Sequence, residues 1–161
     1  MYFWHYLFLF YLALSNIVLT QETKAKTEQK TFEERPFTLT TPDATFSRAT
    51  VVLLHGARGS GERLRKLSEF DSWAERYEVS VVYPTGLDGW NDGRVPTNFI
   101  STTADDVGYL KRLLVRLHSE GLVPEVAAYF MGFSNGGGMA MRMACEQSNL
   151  VKGISIVATK E

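Results

Sequence analysis

Cysteine occurs once in this sequence, at Cys145, which excludes an internal disulfide framework and any cysteine-rich zinc site. An excess of charge is equally lacking. Seventeen basic and 18 acidic side chains leave a formal net charge of -1, so neither nucleic acid nor an anionic surface is an expected partner. Histidine is confined to His5, His55 and His118, and beyond residue 134 there is neither histidine nor aspartate, the only acids there being Glu146 and Glu161. Internal repeats and low-complexity tracts are missing as well. What remains is an ordinary globular composition, 45% hydrophobic over 161 residues, enough for about one domain. Cys145 reads as a small buried hydrophobe on a helix.

The amino terminus differs in kind from the rest. Tyr2 to Leu19 is almost wholly apolar or aromatic, broken only by His5, Ser15 and Asn16. Residues 1–20 are therefore expected to be a secretory signal peptide, and the protein secreted or periplasmic. No Lys or Arg precedes the apolar run, so an uncleaved membrane anchor is the competing expectation. Residues 21–35 carry four basic and four acidic side chains and read as a charged, solvated spacer.

The chemistry centres on Gly132-Phe133-Ser134-Asn135-Gly136. The apolar run from Val126 to Met131 leads into this Gly-x-Ser-x-Gly pentapeptide, and a helix-compatible segment from about Met139 to Glu146 follows. Strand, tight turn, then helix is the setting of a nucleophile elbow, with the serine hydroxyl raised above the sheet edge. Gly132 and Gly136 suit such a turn because side chains there would collide with the neighbouring strand or helix. Ser134 is thus the expected nucleophile.

Other elements fall in alternating order. Pro36 to Leu39 predicts a short edge strand, and Thr50 to Leu54 a strand buried on both faces. A glycine-rich loop from His55 to Gly61 precedes a helical stripe of Leu64, Leu67, Phe70, Trp73, Ala74 and Tyr77, with a restart at Asp71. Val79 to Tyr83 is the next strand. A long loop holds Trp90-Asn91-Asp92-Gly93-Arg94, and Thr103 with Asp106 predicts a capping box for a helix that Gly121 ends. A last strand runs from about Val151 to Val157. This is the grammar of a mainly parallel α/β sheet with flanking helices.

A serine attacking a carbonyl creates an oxyanion, which needs two backbone N–H groups. One is expected from Asn135, the other from the loop after the first long strand, at Ala57 or Arg58. The same loop, Gly56-x-x-Gly59-x-Gly61, also suggests a dinucleotide turn. That motif needs an acid about 20 positions on, and the second strand ends instead in Tyr83-Pro84. No nucleotide is expected.

Leu54-His55-Gly56, Val82-Tyr83-Pro84, Trp90-Asn91-Asp92-Gly93-Arg94, Asp105-Asp106-Val107-Gly108-Tyr109-Leu110 and Gly132-Phe133-Ser134-Asn135-Gly136-Gly137 occur in this order. Together they resemble the polyhydroxybutyrate depolymerase-like and feruloyl-esterase-like branch of the α/β-hydrolases. The resemblance covers residues 36–161 and implies a partial, truncated α/β-hydrolase domain. It also implies a secreted serine esterase acting on polyester or plant cell-wall esters without metal or cofactor. Ser134 would be the nucleophile, and Asn135 with the His55-Gly56 loop would form the oxyanion site. His55, Gly56, Arg58, Trp90, Asn91, Asp92 and Arg94 are expected to line the substrate, with Asp92 and Arg94 also paired within their loop.

The departure from that pattern is the acid–base half. In this fold the order is Ser, then Asp or Glu, then His, and the sequence after Ser134 supplies no histidine. The expectation is a fragment or truncated gene product with impaired esterase activity. The alternative is a catalytically silent binding or interaction module that associates through its exposed last strand.

Overall fold

The computed structural model describes residues 24–43, 46–95 and 103–158. Residues 1–20, with the expected signal peptide or anchor, lie outside the described residues. Among those described, no helix is long and apolar enough to cross a membrane.

Six strands form one sheet: β1 (Lys26–Phe32), β2 (Arg35–Thr41), β3 (Ala49–Leu54), β4 (Val79–Pro84), β5 (Ala128–Phe133) and β6 (Val151–Val157), in the order β1-β2-β4-β3-β5-β6. β1 and β2 pair antiparallel, as do β2 and β4, while β4, β3, β5 and β6 run parallel. Four helices flank it: α1 (Gly61–Ser68), α2 (Asp71–Tyr77), α3 (Asp106–Ser119) and α4 (Asn135–Glu146). The arrangement is a mainly parallel α/β sheet, as its alternating elements predict.

The two faces are covered by different helices. Val52, Leu54, Val82 and Phe130 pack with Leu110, Leu113, Leu114 and Leu117 of α3 and with Met139, Ala140 and Met143 of α4. Leu53, Val81, Tyr83 and Met131 meet Leu64 of α1 and Phe70 and Ala74 at α2. Period-two alternation in β3, β4 and β5 produces this split. The chain therefore leaves β3 towards one face and β5, its neighbour, towards the other. A crevice at the carboxyl ends of two such strands is where open α/β sheets bind ligands.

Several sequence expectations need correction. The spacer 21–35 contains a strand: β1 pairs along its length with β2, from Lys26 opposite Thr41 to Phe32 opposite Arg35. Its polar side chains suit an edge position, where one row of backbone groups is paired and the other solvated. β2 is consequently interior rather than an edge. The break before Asp71 is as expected, made where Glu69 takes a left-handed φ of 55°, but Leu67, Trp73 and Tyr77 of the expected apolar stripe are exposed. Asp105, not a Thr103–Asp106 box, caps α3: its side chain accepts from the N–H of Gly108 at 2.9 Å. Cys145 is exposed rather than buried.

Candidate active site

Ser134 stands where β5 turns into α4, with φ 53° and ψ -118°. A positive φ is uncommon for a residue with a side chain and is held only where surrounding structure enforces it. Here the Ser134 N–H donates to the Val157 carbonyl at 2.8 Å, and the Gly137 N–H donates to the Ser134 carbonyl at 2.9 Å. The Ser134 side chain makes no capping bond to α4. A Cβ on Gly132 would lie 2.0 Å from the Gly136 carbonyl oxygen, and one on Gly136 would lie 2.2 Å from that of Leu54. Glycine at both positions lets β5, α4 and β3 close on one another, as the pentapeptide predicts.

The loop after β3 lies beside this turn. Leu54 is in register with Gly132, and a Cβ on Gly56 would lie 3.5 Å from the Cβ of Ser134. The loop is tightened by Gly59 N–H donating to the Gly56 carbonyl at 3.0 Å, and Arg58 has a left-handed φ of 58°. With Leu64, Leu67 and Phe133, residues 55–60 and Arg63 line a cleft of about 260 Å³.

His55 is buried beneath the loop. Its Nε2 accepts from the Gly86 N–H at 3.0 Å, which leaves Nδ1 to carry the proton and donate to the Gly56 carbonyl at 2.7 Å. Burial holds the imidazole below the ordinary histidine range, outweighing the Gly56 hydrogen bond and the Asp106 charge. A neutral buried histidine favours unfolding once the unfolded chain can take up its proton. Stability should thus be complete above the ordinary imidazole pKa of about 6.5 and fall as the pH drops towards 5. Urea unfolding across that interval measures the slope, and His55→Gln should flatten it.

Within the Trp90 loop, Trp90 and Asp92 are buried, whereas Gly93, Arg94 and Val95 beside them are exposed. Trp90 is fully buried and its ring lies 5.0 Å from that of His55. Asp92 accepts from Arg94 Nε at 2.8 Å and from Asn135 Nδ2 at 2.7 Å. Burial alone would raise the Asp92 carboxyl, but the hydrogen bonds from Arg94 and Asn135 outweigh it and hold the group below the ordinary carboxylate range. Asn91 Nδ2 donates to the Ala104 carbonyl at 2.9 Å. Trp90 and Asp92, both expected to line the substrate, are buried side chains hydrogen-bonded within the fold. Arg94 is bonded to Asp92, as its loop spacing suggests.

Arg35 and Arg142, which also bear on this region, have no sequence motif to mark them. Arg35, in β2, donates to Asp106 Oδ1 at 2.5 Å and lies over the Tyr109 ring. Asp106 Oδ2 accepts from the Asn91 N–H at 2.6 Å, and Arg142 of α4 donates to the Asn91 carbonyl at 2.8 Å. Partners 71 and 51 residues apart are visible only once the strands are ordered. Among the described residues no group of three or more His, Cys, Asp or Glu side chains is placed to hold a metal ion.

The sheet order, the two helical layers and the Ser134 turn define an α/β-hydrolase fold. No protein-family model matches the chain. Over 112 residues it is 30% identical to the putative esterase NocK of Nocardia uniformis subsp. tsuyamanensis, taking in 69% of this chain and 33% of that protein. Over 133 residues it is 25% identical to the probable feruloyl esterase C of Aspergillus niger, covering 77% of this chain and 46% of the relative. The poly(3-hydroxybutyrate) depolymerase LpqC of Bordetella parapertussis superposes with a TM-score of 0.59 at 22% identity, over 82% of this chain and 50% of that one. The fold is that of the α/β-hydrolases and the chain is similar in sequence to esterases, and it spans less than half the length of these two curated relatives.

Proposed function

We propose that this chain carries the nucleophile and oxyanion half of a secreted serine carboxylic ester hydrolase. The observation that carries the reading is Ser134, held at a positive φ over the crevice between β3 and β5, beside the His55–Arg58 loop. Ser134 Oγ attacks the ester carbonyl carbon as its proton passes to water, the carbon–oxygen bond to the alcohol breaks as that oxygen takes a proton from water, and water then hydrolyses the acyl-serine. The carbonyl oxygen, negative in the intermediate, is received by the N–H groups of Asn135 and Ala57. First-turn amides have no partner within their own helix, which leaves that of Asn135 available. The cleft walled by Leu64, Leu67 and Phe133 takes the apolar part of the ester.

Neither histidine among the described residues is placed as a general base for Ser134. His55 is enclosed with both ring nitrogens bonded to backbone, and His118 lies exposed at the end of α3, bonded to the Val123 carbonyl at 3.3 Å. Without an acid–base pair, about 10³–10⁴-fold catalysis over water is what oxyanion binding alone retains. The chain should therefore hydrolyse p-nitrophenyl acetate slowly and take up a fluorophosphonate at one residue. Ser134→Ala should abolish the labelling and leave only the turnover that oxyanion binding supplies. Equal turnover and labelling by that variant would exclude Ser134 as the nucleophile.

A second reading is favoured by the far edge of the sheet. Tyr129, Phe133, Ile154, Ile156 and Val157 are all exposed on β5 and β6, and an edge strand offers unpaired backbone groups to a partner strand. A chain that stays inert at Ser134 yet binds a partner along β6 would be an interaction module.

A further inference from the structure

We infer that Trp90 is a positioning residue that sets the two proposed oxyanion donors in register with each other. This rests on the assignment of the Ala57 and Asn135 amides as those donors. A buried tryptophan is ordinarily core, so the deciding fact is where its polar atoms go. The Trp90 backbone N–H donates to Asn135 Oδ1 at 2.7 Å, and Asn135 Nδ2 donates back to the Trp90 carbonyl at 3.0 Å. The indole Nε1–H donates to the His55 carbonyl at 2.9 Å. One residue is thus bonded twice to the side chain that follows Ser134, and once to the peptide that opens the Gly56-Ala57 loop.

Neighbouring contacts close the circuit. His55 is gripped from the same side, its Nε2 accepting from the Gly86 N–H. A Cβ on Gly86 would lie 2.2 Å from the Gly89 carbonyl oxygen and 3.0 Å from the Trp90 ring, so the loop can wrap the indole only with glycine there. Arg142 and Asp106 hold the carbonyl and N–H of Asn91, which fixes the chain just past Trp90. α4 and the β3 loop otherwise depart towards opposite faces of the sheet. Trp90 is the bridge between them, and a misplacement of about 1 Å between reacting groups can cost about 100-fold in rate.

Trp90→Phe in the full chain keeps the ring and removes the indole donor. Hydrogen exchange read by mass spectrometry should quicken about tenfold in residues 55–60, the scale of one lost hydrogen bond, with α3 unchanged. The rate constant for fluorophosphonate capture of Ser134 should fall while reversible affinity for the probe holds. Unchanged exchange at 55–60, or a rise spread evenly through α3, would overturn the inference and leave Trp90 as core packing. Should Trp90→Phe fail to fold, Asn135→Ala removes both side-chain bonds to the Trp90 backbone and cuts the link from the other end. It should quicken exchange in 86–92 and 134–140, and no change there would equally refute the bridge. Exchange does not depend on Ser134 chemistry. Loss of the nucleophile reading therefore shows as a wild-type chain without Ser134-dependent labelling, whatever the exchange result.

Discussion

Asp106→Ala is expected to destabilise the protein by about 3–5 kcal/mol, the usual result of stranding one charge of a buried pair. Both partners are enclosed, Asp106 completely, and the Arg35 guanidinium has the Tyr109 ring on one side. Removal of the carboxylate leaves the cation without its counter-charge and the Asn91 N–H without its acceptor. Urea unfolding of the variant beside the wild type measures the loss. Replacing Arg35 and Asp106 together by leucine should recover much of it, because no isolated charge then remains. A single variant within about 0.5 kcal/mol of wild type, the range of an ordinary surface change, would show that solvent reaches the pair.

Gly136→Ala should be a severely damaging change at the Ser134 turn. The new Cβ would sit 2.2 Å from the Leu54 carbonyl oxygen and 2.6 Å from that of His55. These are backbone atoms at the end of a central strand, so no rotamer change relieves the overlap. α4 must move off β3, at a cost of about 1–3 kcal/mol or more for overpacking. A displacement of about 1 Å should also slow Ser134 labelling about 100-fold. Gly138→Ala is the internal comparison, since its Cβ would meet the Asp92 carboxylate, at 2.7 Å, rather than backbone. Thermal unfolding and fluorophosphonate uptake report the two effects separately. A Gly136→Ala protein with wild-type melting and labelling would contradict the close approach of α4 to β3.

The central strands and the Ser134 turn were legible because local rules dictate them. β3 and β4 are continuous apolar runs, and a two-glycine frame around one serine admits few backbone paths. β1 was not, because Lys26-Thr27-Glu28-Gln29-Lys30-Thr31 lacks the apolar alternation that marks a half-buried strand. It is held by its pairing with β2, a long-range fact. The Trp90 loop is a different case. Its residues were expected at the substrate through the family resemblance, and the hydrogen bonds that join Trp90 and Asp92 to Asn135 and His55 are long-range contacts that no local pattern marks. Cys145 illustrates the limit of composition: cysteine is usually enclosed, but this one falls on the outer side of α4.

That placement has a practical consequence. Cys145 lies ten residues along the helix from Asn135, about 15 Å at 1.5 Å per residue, and no other thiol competes for reagent. A maleimide dye or nitroxide attached there rides the very helix that begins at the Ser134 turn. Motion of that helix against the sheet becomes a spectroscopic signal without any engineered residue.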